Sequence, residues 1–136
     1  MMISPWDSGT QLYERALDVR TGIHETIASN MANEETPGYK ARHLPFQETL
    51  ASVLRGEGLL SPAVTHPRHL GASSEESRVF QHTIKQEAGA GLDDNTVNLE
   101  KEMTLMAENT LLYMAANQFL GGRFEGWKAA IEGGGR

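Results

Sequence analysis

A chain of 136 residues, 39% of them hydrophobic, is long enough for one modest core and too short for two. Its formal charge of −6, without any lysine or arginine cluster, argues against nucleic acid or an anionic membrane as the main partner, because such binding releases counterions from a basic face. The absence of cysteine removes disulfide frameworks and thiolate metal sites, so the chain can cross between reducing and oxidising compartments. Residues Met1 to Asp7 lack the basic start and apolar stretch of a secretory signal peptide, and the longest apolar run, Leu111 to Ala116, is too short to span a bilayer. On these residues alone the chain reads as cytosolic.

The first predicted element is a helix over residues 8–33. Leu12, Ala16, Val19, Ile23 and Ile27 recur four, three, four and four apart, which places them on one face, and Ser8 with Gln11 makes a capping box at its start. Glu14, Arg15, Arg20 and Glu25 occupy the other side. Such a helix is about 39 Å long at 1.5 Å per residue and needs a partner for its apolar stripe.

The helix pattern stops at Thr36-Pro37-Gly38-Tyr39. Pro37 fixes its own φ and pushes Thr36 out of the helical region, while Gly38 supplies the positive φ that the third position of a type II turn requires. Tyr39 therefore emerges at a set angle. Residues 34–97 hold four of the five prolines, and Gly56, Gly58, Gly71, Gly89 and Gly91 follow the turn, so long helices are not expected there. The pattern allows a short helix from Phe46 or Gln47 to Leu54 and a short strand over Val79 to Ile84, with loops at 71–77 and 87–94. A connection of this length in a compact monomer is unusual, and points to ordering against neighbours or to mobility.

A second long helix is predicted over residues 98–132. Leu99, Met103, Met106, Thr110, Tyr113, Asn117, Leu120, Phe124, Trp127 and Ile131 alternate four and three apart, a heptad seam that suits antiparallel pairing with the first helix. Asn98 or Thr96 caps it, Glu100 and Glu102 complement the dipole as surface charges in its first turn, and Gly133 to Gly135 end it. Leu105, Leu112 and Phe119 form a second apolar row, so the hydrophobic surface exceeds what one partner covers, and part of it faces another subunit. Thr110 and Asn117 are the polar seam positions that would fix register. Gly121-Gly122 marks a kink or, preferably, a close approach by a neighbouring backbone.

No constellation of catalytic residues stands out. His66-Pro67-Arg68-His69 has metal-like spacing but offers two ligands where a site needs three or four. Ser73, Ser74 and Ser77 lack a nucleophile-elbow motif, and the glycine pairs do not sit between a strand and a helix as a phosphate loop does. The methionines and aromatics of the second helix read as core.

The string from Ala28 to Lys40, with Asn30 and Asn33 three apart and Thr36-Pro37-Gly38-Tyr39 after them, resembles the N-terminal signature of bacterial flagellar axial proteins, the rod and hook family. Ala16 to Arg20 upstream, Lys40-Ala41-Arg42 downstream and Asp94 to Met103 near the other end strengthen the likeness, and the short length fits the proximal-rod type. Residues 10–55 and 93–131 carry it, with Thr65 to Leu70 the one recognisable piece of the middle. The resemblance implies a mainly α fold, an antiparallel coiled coil of the two terminal helices, and a structural subunit that is not an enzyme and takes no cofactor and no small-molecule substrate.

It also implies export through the flagellar type III apparatus without a cleaved signal peptide, which overrides the cytosolic reading, and assembly in the periplasmic rod of the basal body. The partners implied are further copies in a helical tube, other rod proteins, the export gate and membrane-ring adaptor proteins at the rod base. In this reading Asn30, Asn33, Thr36, Pro37, Gly38 and Tyr39 set the angle of the middle segment. The seam residues Leu12, Ala16, Val19, Ile23, Ile27, Leu99, Met103, Met106, Tyr113, Leu120, Phe124 and Trp127 pack within or between subunits and transmit torque. The rival readings are a small helical adaptor or chaperone of the export system, a metal-dependent hydrolase using His66 and His69, and a regulatory coiled coil of the cytoplasm.

Overall fold

The structure, a computed structural model, describes residues 8–55, 84–88 and 94–133. Helix α1 (Ser8–Ala32) is followed by β1 (Arg42–His43), α2 (Phe46–Arg55), β2 (Lys85–Gln86) and α3 (Leu99–Gly133). The helices are 25, 10 and 35 residues long, so the fold is mainly α, as the periodicity predicts. None of them is long and apolar enough to cross a membrane.

Helices α1 and α3 run antiparallel. Gly9 lies against Arg123, the Tyr13 and Phe119 rings stack with centroids 6.3 Å apart, and Arg20 meets Asn109. Further along, Ile23 and Ile27 share a groove with Lys101 and Leu105. Among the described residues the buried apolar core is small: Val19 and Ile27 of α1, with Ala41 and Leu44 beside β1. At the start of α2 the Thr49 hydroxyl donates to the Pro45 carbonyl at 2.8 Å, and the Arg20 guanidinium, 3.9 Å over the Phe46 ring, ties the helix to α1.

Of the strand expected over residues 79–84, only Ile84 is among the described residues. It lies outside β2, which pairs antiparallel with β1, Arg42 opposite Gln86 and His43 opposite Lys85. Its position is set by β1, with the Glu87 amide donating to the Ala41 carbonyl at 2.8 Å beyond the ladder. The Ser8 side chain, expected to cap α1, lies outside the described residues, as do the predicted helix stop at Gly134-Gly135 and the His66 to His69 motif.

Helix α3 starts at the Asn98 cap, whose Oδ1 accepts the Lys101 amide at 3.0 Å. Its inner face is turned by about one residue from the predicted seam in every second position. Leu99, Met106, Leu120 and Trp127 lie half-buried toward α1, but the intervening places belong to Glu102, Asn109, Ala116 and Arg123. Met103, Phe124 and Ile131 are 57%, 50% and 80% exposed, and Thr110 and Asn117 also face outward. Neighbouring residues stand about 100° apart on a helix, so apolar periodicity alone does not separate two adjacent stripes.

Across the seam Asn109 meets the Arg20 carbonyl and guanidinium, and Glu102 Oε1 lies 3.6 Å from His43 Nε2. Glu102 is accordingly not the surface charge expected of it: it is 1% exposed. Gly121 and Gly122 continue the helix, and a Cβ on either would meet nothing within 4 Å, so the expected close approach does not occur within the chain.

Candidate assembly site: the elbow and the helix seam

The last turn of α1 and the chain after it form a hydrogen-bonded elbow. Asn30 is fully buried, and its side-chain amide does what a strand neighbour would do: Nδ2 donates to the Arg42 carbonyl at 2.7 Å, and Oδ1 accepts the Arg42 amide at 3.0 Å. One turn on, Asn33 donates to the Ser29 carbonyl at 2.7 Å and accepts the Thr36 hydroxyl at 3.2 Å. The spacing of three between the asparagines therefore gives one to the returning chain and the other to the helix end.

The turn itself closes through the Tyr39 amide, which donates to the Thr36 carbonyl at 3.2 Å. Gly38 has φ +72°, a value L side chains rarely adopt, so a substitution there is strained although space is open around it. Thr36, Pro37 and Gly38 are exposed at the tip, whereas Tyr39 folds back. Its hydroxyl lies 3.3 Å from Ser29 Oγ and 3.4 Å from both Asn30 Oδ1 and Arg42 Nη2.

A second segment, absent from the predicted site residues, clasps this elbow. Asn95 Nδ2 lies 2.9, 2.7 and 2.7 Å from the carbonyls of Asn33, Glu34 and Thr36, sharing its two hydrogens among the carbonyls of the turn that follows α1, two of which also accept a backbone amide. Its Oδ1 accepts the Val97 amide at 2.8 Å, which holds the side chain in an Asx turn. Thr96 donates its amide to the Tyr39 carbonyl at 3.0 Å and accepts the Ala41 amide on its hydroxyl at 2.8 Å. Lys40 reaches the Asp94 carbonyl at 2.8 Å and its carboxylate at 2.6 Å. The signal was present in the sequence, since Asp94 to Asn98 belongs to the run that carries the family likeness; what sequence could not give was its partner.

Below the elbow lies a charged cluster. His43 Nε2 is 3.2 Å from Glu87 Oε1 and 3.6 Å from Glu102 Oε1, and Lys101 pairs with Glu87. The Lys101 ammonium holds the Glu87 carboxyl below the usual carboxylate range, against an opposing push from burial and with smaller help from His43. Glu102 Oε2 is buried without a hydrogen-bond partner. Further along the seam, Asn109 Nδ2 donates to the Arg20 carbonyl at 2.9 Å and its Oδ1 accepts from the guanidinium at 3.3 Å. Burial pushes the Arg20 guanidinium down, and Glu108 partly offsets this.

Of the predicted seam residues, Val19 and Ile27 are buried, Ala16, Ile23, Leu99, Met106, Leu120 and Trp127 are half-buried, and Leu12, Met103, Tyr113 and Phe124 are exposed. Among the described residues no group of three His, Cys, Asp or Glu could hold a metal. The outer side of α3 also carries Leu111 and Met114, 68% and 61% exposed. What the arrangement provides is shape: a rigid, polar elbow on an apolar rod of helix.

No protein-family model matches this chain. Among curated proteins it is 31% identical to a flagellar basal body rod protein FlgB of Salmonella typhimurium over 98% of this chain and 99% of that protein. The chain belongs to the FlgB family of flagellar basal body rod proteins. Other FlgB relatives include that of Yersinia enterocolitica, 30% identical over 98% of this chain and all of its own length. The FlgB of Cereibacter sphaeroides is 34% identical over 90% of this chain. Because these FlgB matches run nearly end to end, the likeness takes in both the elbow and its clasp.

Proposed function

We propose that the chain is a structural subunit of the proximal rod of the flagellar basal body, which assembles with other rod proteins, carries torque and surrounds the export channel. The single observation that carries this reading is the end-to-end correspondence with FlgB proteins of several bacteria. The geometry supports it in two ways. An elbow braced by Asn30, Asn33, Asn95 and Thr96 fixes the direction of the chain after α1, with Thr36, Pro37 and Gly38 exposed at its tip. The outer residues of α3, from Met103 through Leu111 and Met114 to Ile131, are apolar surface that a polymer would bury between subunits.

In this role the chain is not an enzyme and needs no cofactor. It leaves the cell interior through the type III export apparatus without a cleaved signal, and meets the export gate and membrane-ring adaptor proteins at the rod base. Helices packed between neighbours transmit torque by staying packed. The test is to purify basal bodies in detergent from cells producing the chain. Retention with the rod supports the reading, whereas a discrete soluble dimer absent from basal bodies favours an export adaptor. A Pro37→Ala, Gly38→Val double variant is expected to keep its helical circular dichroism and lose motility; normal rods would contradict the role given to the turn.

A further inference from the structure

The chain has no cysteine, so its six methionines are its only sulfur. Met31, Met103, Met106 and Met114 are among the described residues. Met31 and Met106 are half-buried, whereas Met103 and Met114 stand open on the outer side of α3, at 57% and 61% exposure. These two lie eleven residues apart. At about 100° per residue, that separation brings them within about 20° of each other around the helix axis, so they share one stripe. Leu111, 68% exposed, lies beside it.

Access governs the oxidation of a thioether, because the sulfur needs no prior deprotonation as a thiol does. A sulfur lone pair of Met103 or Met114 attacks one oxygen of a hydroperoxide, and the S–O bond forms as the O–O bond breaks. The sulfur is oxidised by two electrons and the peroxide is reduced. The proton left on the sulfur-bound oxygen passes to the departing oxygen, which gives methionine sulfoxide and an alcohol, or water when the oxidant is hydrogen peroxide.

The product replaces a flexible apolar side chain by a polar one. Residues 103–114 contain no lysine or arginine to donate to the new oxygens. The Thr104 and Thr110 hydroxyls are engaged, donating to the Glu100 and Met106 carbonyls at 2.9 and 2.8 Å. Burying the oxidised stripe against an apolar neighbour would therefore strand two acceptors.

We propose that Met103 and Met114 form an oxidation site at which a hydroperoxide withdraws the chain from assembly. The thioethers let the outer side of α3 be buried against a neighbour, and the sulfoxides do not. This inference rests on the rod reading and adds a regulation of the same surface.

The first test needs only the purified full-length chain and hydrogen peroxide. Peptide mass spectrometry should find Met103 and Met114 oxidised several-fold faster than Met31 and Met106, with the helical circular dichroism unchanged. Equal rates at all four overturn the inference.

The second test gives sublethal hydrogen peroxide to cells building rods with the chain, and compares its amount per basal body with that in untreated cells. The ratio should fall several-fold for the wild-type chain and hold level for a Met103→Leu, Met114→Leu chain, whose side chains peroxide does not attack. A Met103→Gln, Met114→Gln chain, with amide oxygens in place of sulfoxides, should be depleted without peroxide. Equal ratios for the wild-type and leucine chains overturn the inference and leave the rod reading in place. Absence of the untreated wild-type chain from basal bodies instead overturns the rod reading, and the consequence for assembly with it.

Discussion

The elbow and the far half of α3 are built on opposite plans. Around the elbow, Ser29, Asn30, Asn33, Thr36 and Tyr39 meet partners in the same chain, although Arg42 Nε is buried without one, and the partners come from two segments more than fifty residues apart in sequence. Along α3 beyond Asn109, the inner face still touches α1 through Tyr13 and Gly9, but Leu111, Met114, Phe119 and Phe124 remain open to solvent. A region that satisfies itself keeps its shape alone; a region that leaves apolar surface bare keeps it only with company. The first is suited to fixing a direction and the second to joining neighbours.

The sharpest break in that contrast should come from Asn30. Replacing it with leucine strands the buried amide and carbonyl of Arg42, a loss of about 3 kcal/mol of folding free energy by the cost of two orphaned groups. Urea unfolding of the variant measures it, and an unchanged midpoint would mean that the elbow is not self-sustaining. Asn95→Ala removes the clasp from three carbonyls that lie nearer solvent, and should cost about 1 to 2 kcal/mol by the same assay.

A smaller effect is expected at the charged cluster. Glu87 titrates lower in the folded chain than in the unfolded one, so its contribution is fully present above the unfolded carboxylate range and fades as pH falls through the folded value beneath it. The group is partly exposed, so after solvent screening about 0.5 kcal/mol is at stake. Glu87→Gln should flatten the acid side of a stability curve by that amount and leave stability unchanged in its pH dependence above neutrality. The smallest effect on the isolated chain should come from the opposite region. Leu111→Ser with Met114→Ser should alter its stability by less than about 0.5 kcal/mol, as exposed sites do. The same pair should deplete the protein several-fold from purified basal bodies, and full incorporation would show that this surface is not an interface.

The sequence was most readable where one segment determines its own geometry. Pro37 and Gly38 specify their turn through φ alone, and Asn98 caps α3 with an amide three residues away. The two long helices follow from period and length, and α2 from the apolar spacing of Phe46, Leu50 and Val53. Legibility failed where a residue's role is given by a distant partner. Asn95 looks like any turn asparagine until the carbonyls of residues 33–36 are beside it, and β2 is recognised by its pairing with β1.

Which seam residues pack within the chain was hidden for a different reason. Met103 against Glu102, and Thr110 against Asn109, are choices between adjacent stripes, and hydrophobicity favours the outward one. The chain buries Asn109 against Arg20 and Glu102 near His43, and leaves Met103 bare. In an assembling protein the greasier face need not be the one that packs at home.

Amide hydrogen exchange, compared between the isolated chain and the same chain in purified basal bodies, tests this account most directly. The elbow amides of Thr36, Tyr39, Ala41, Arg42 and Thr96 should exchange slowly in both, while α3 amides from Gly121 to Gly133 should exchange rapidly in isolation and slow markedly in the rod. Equal protection of that α3 segment in the two states would contradict the account.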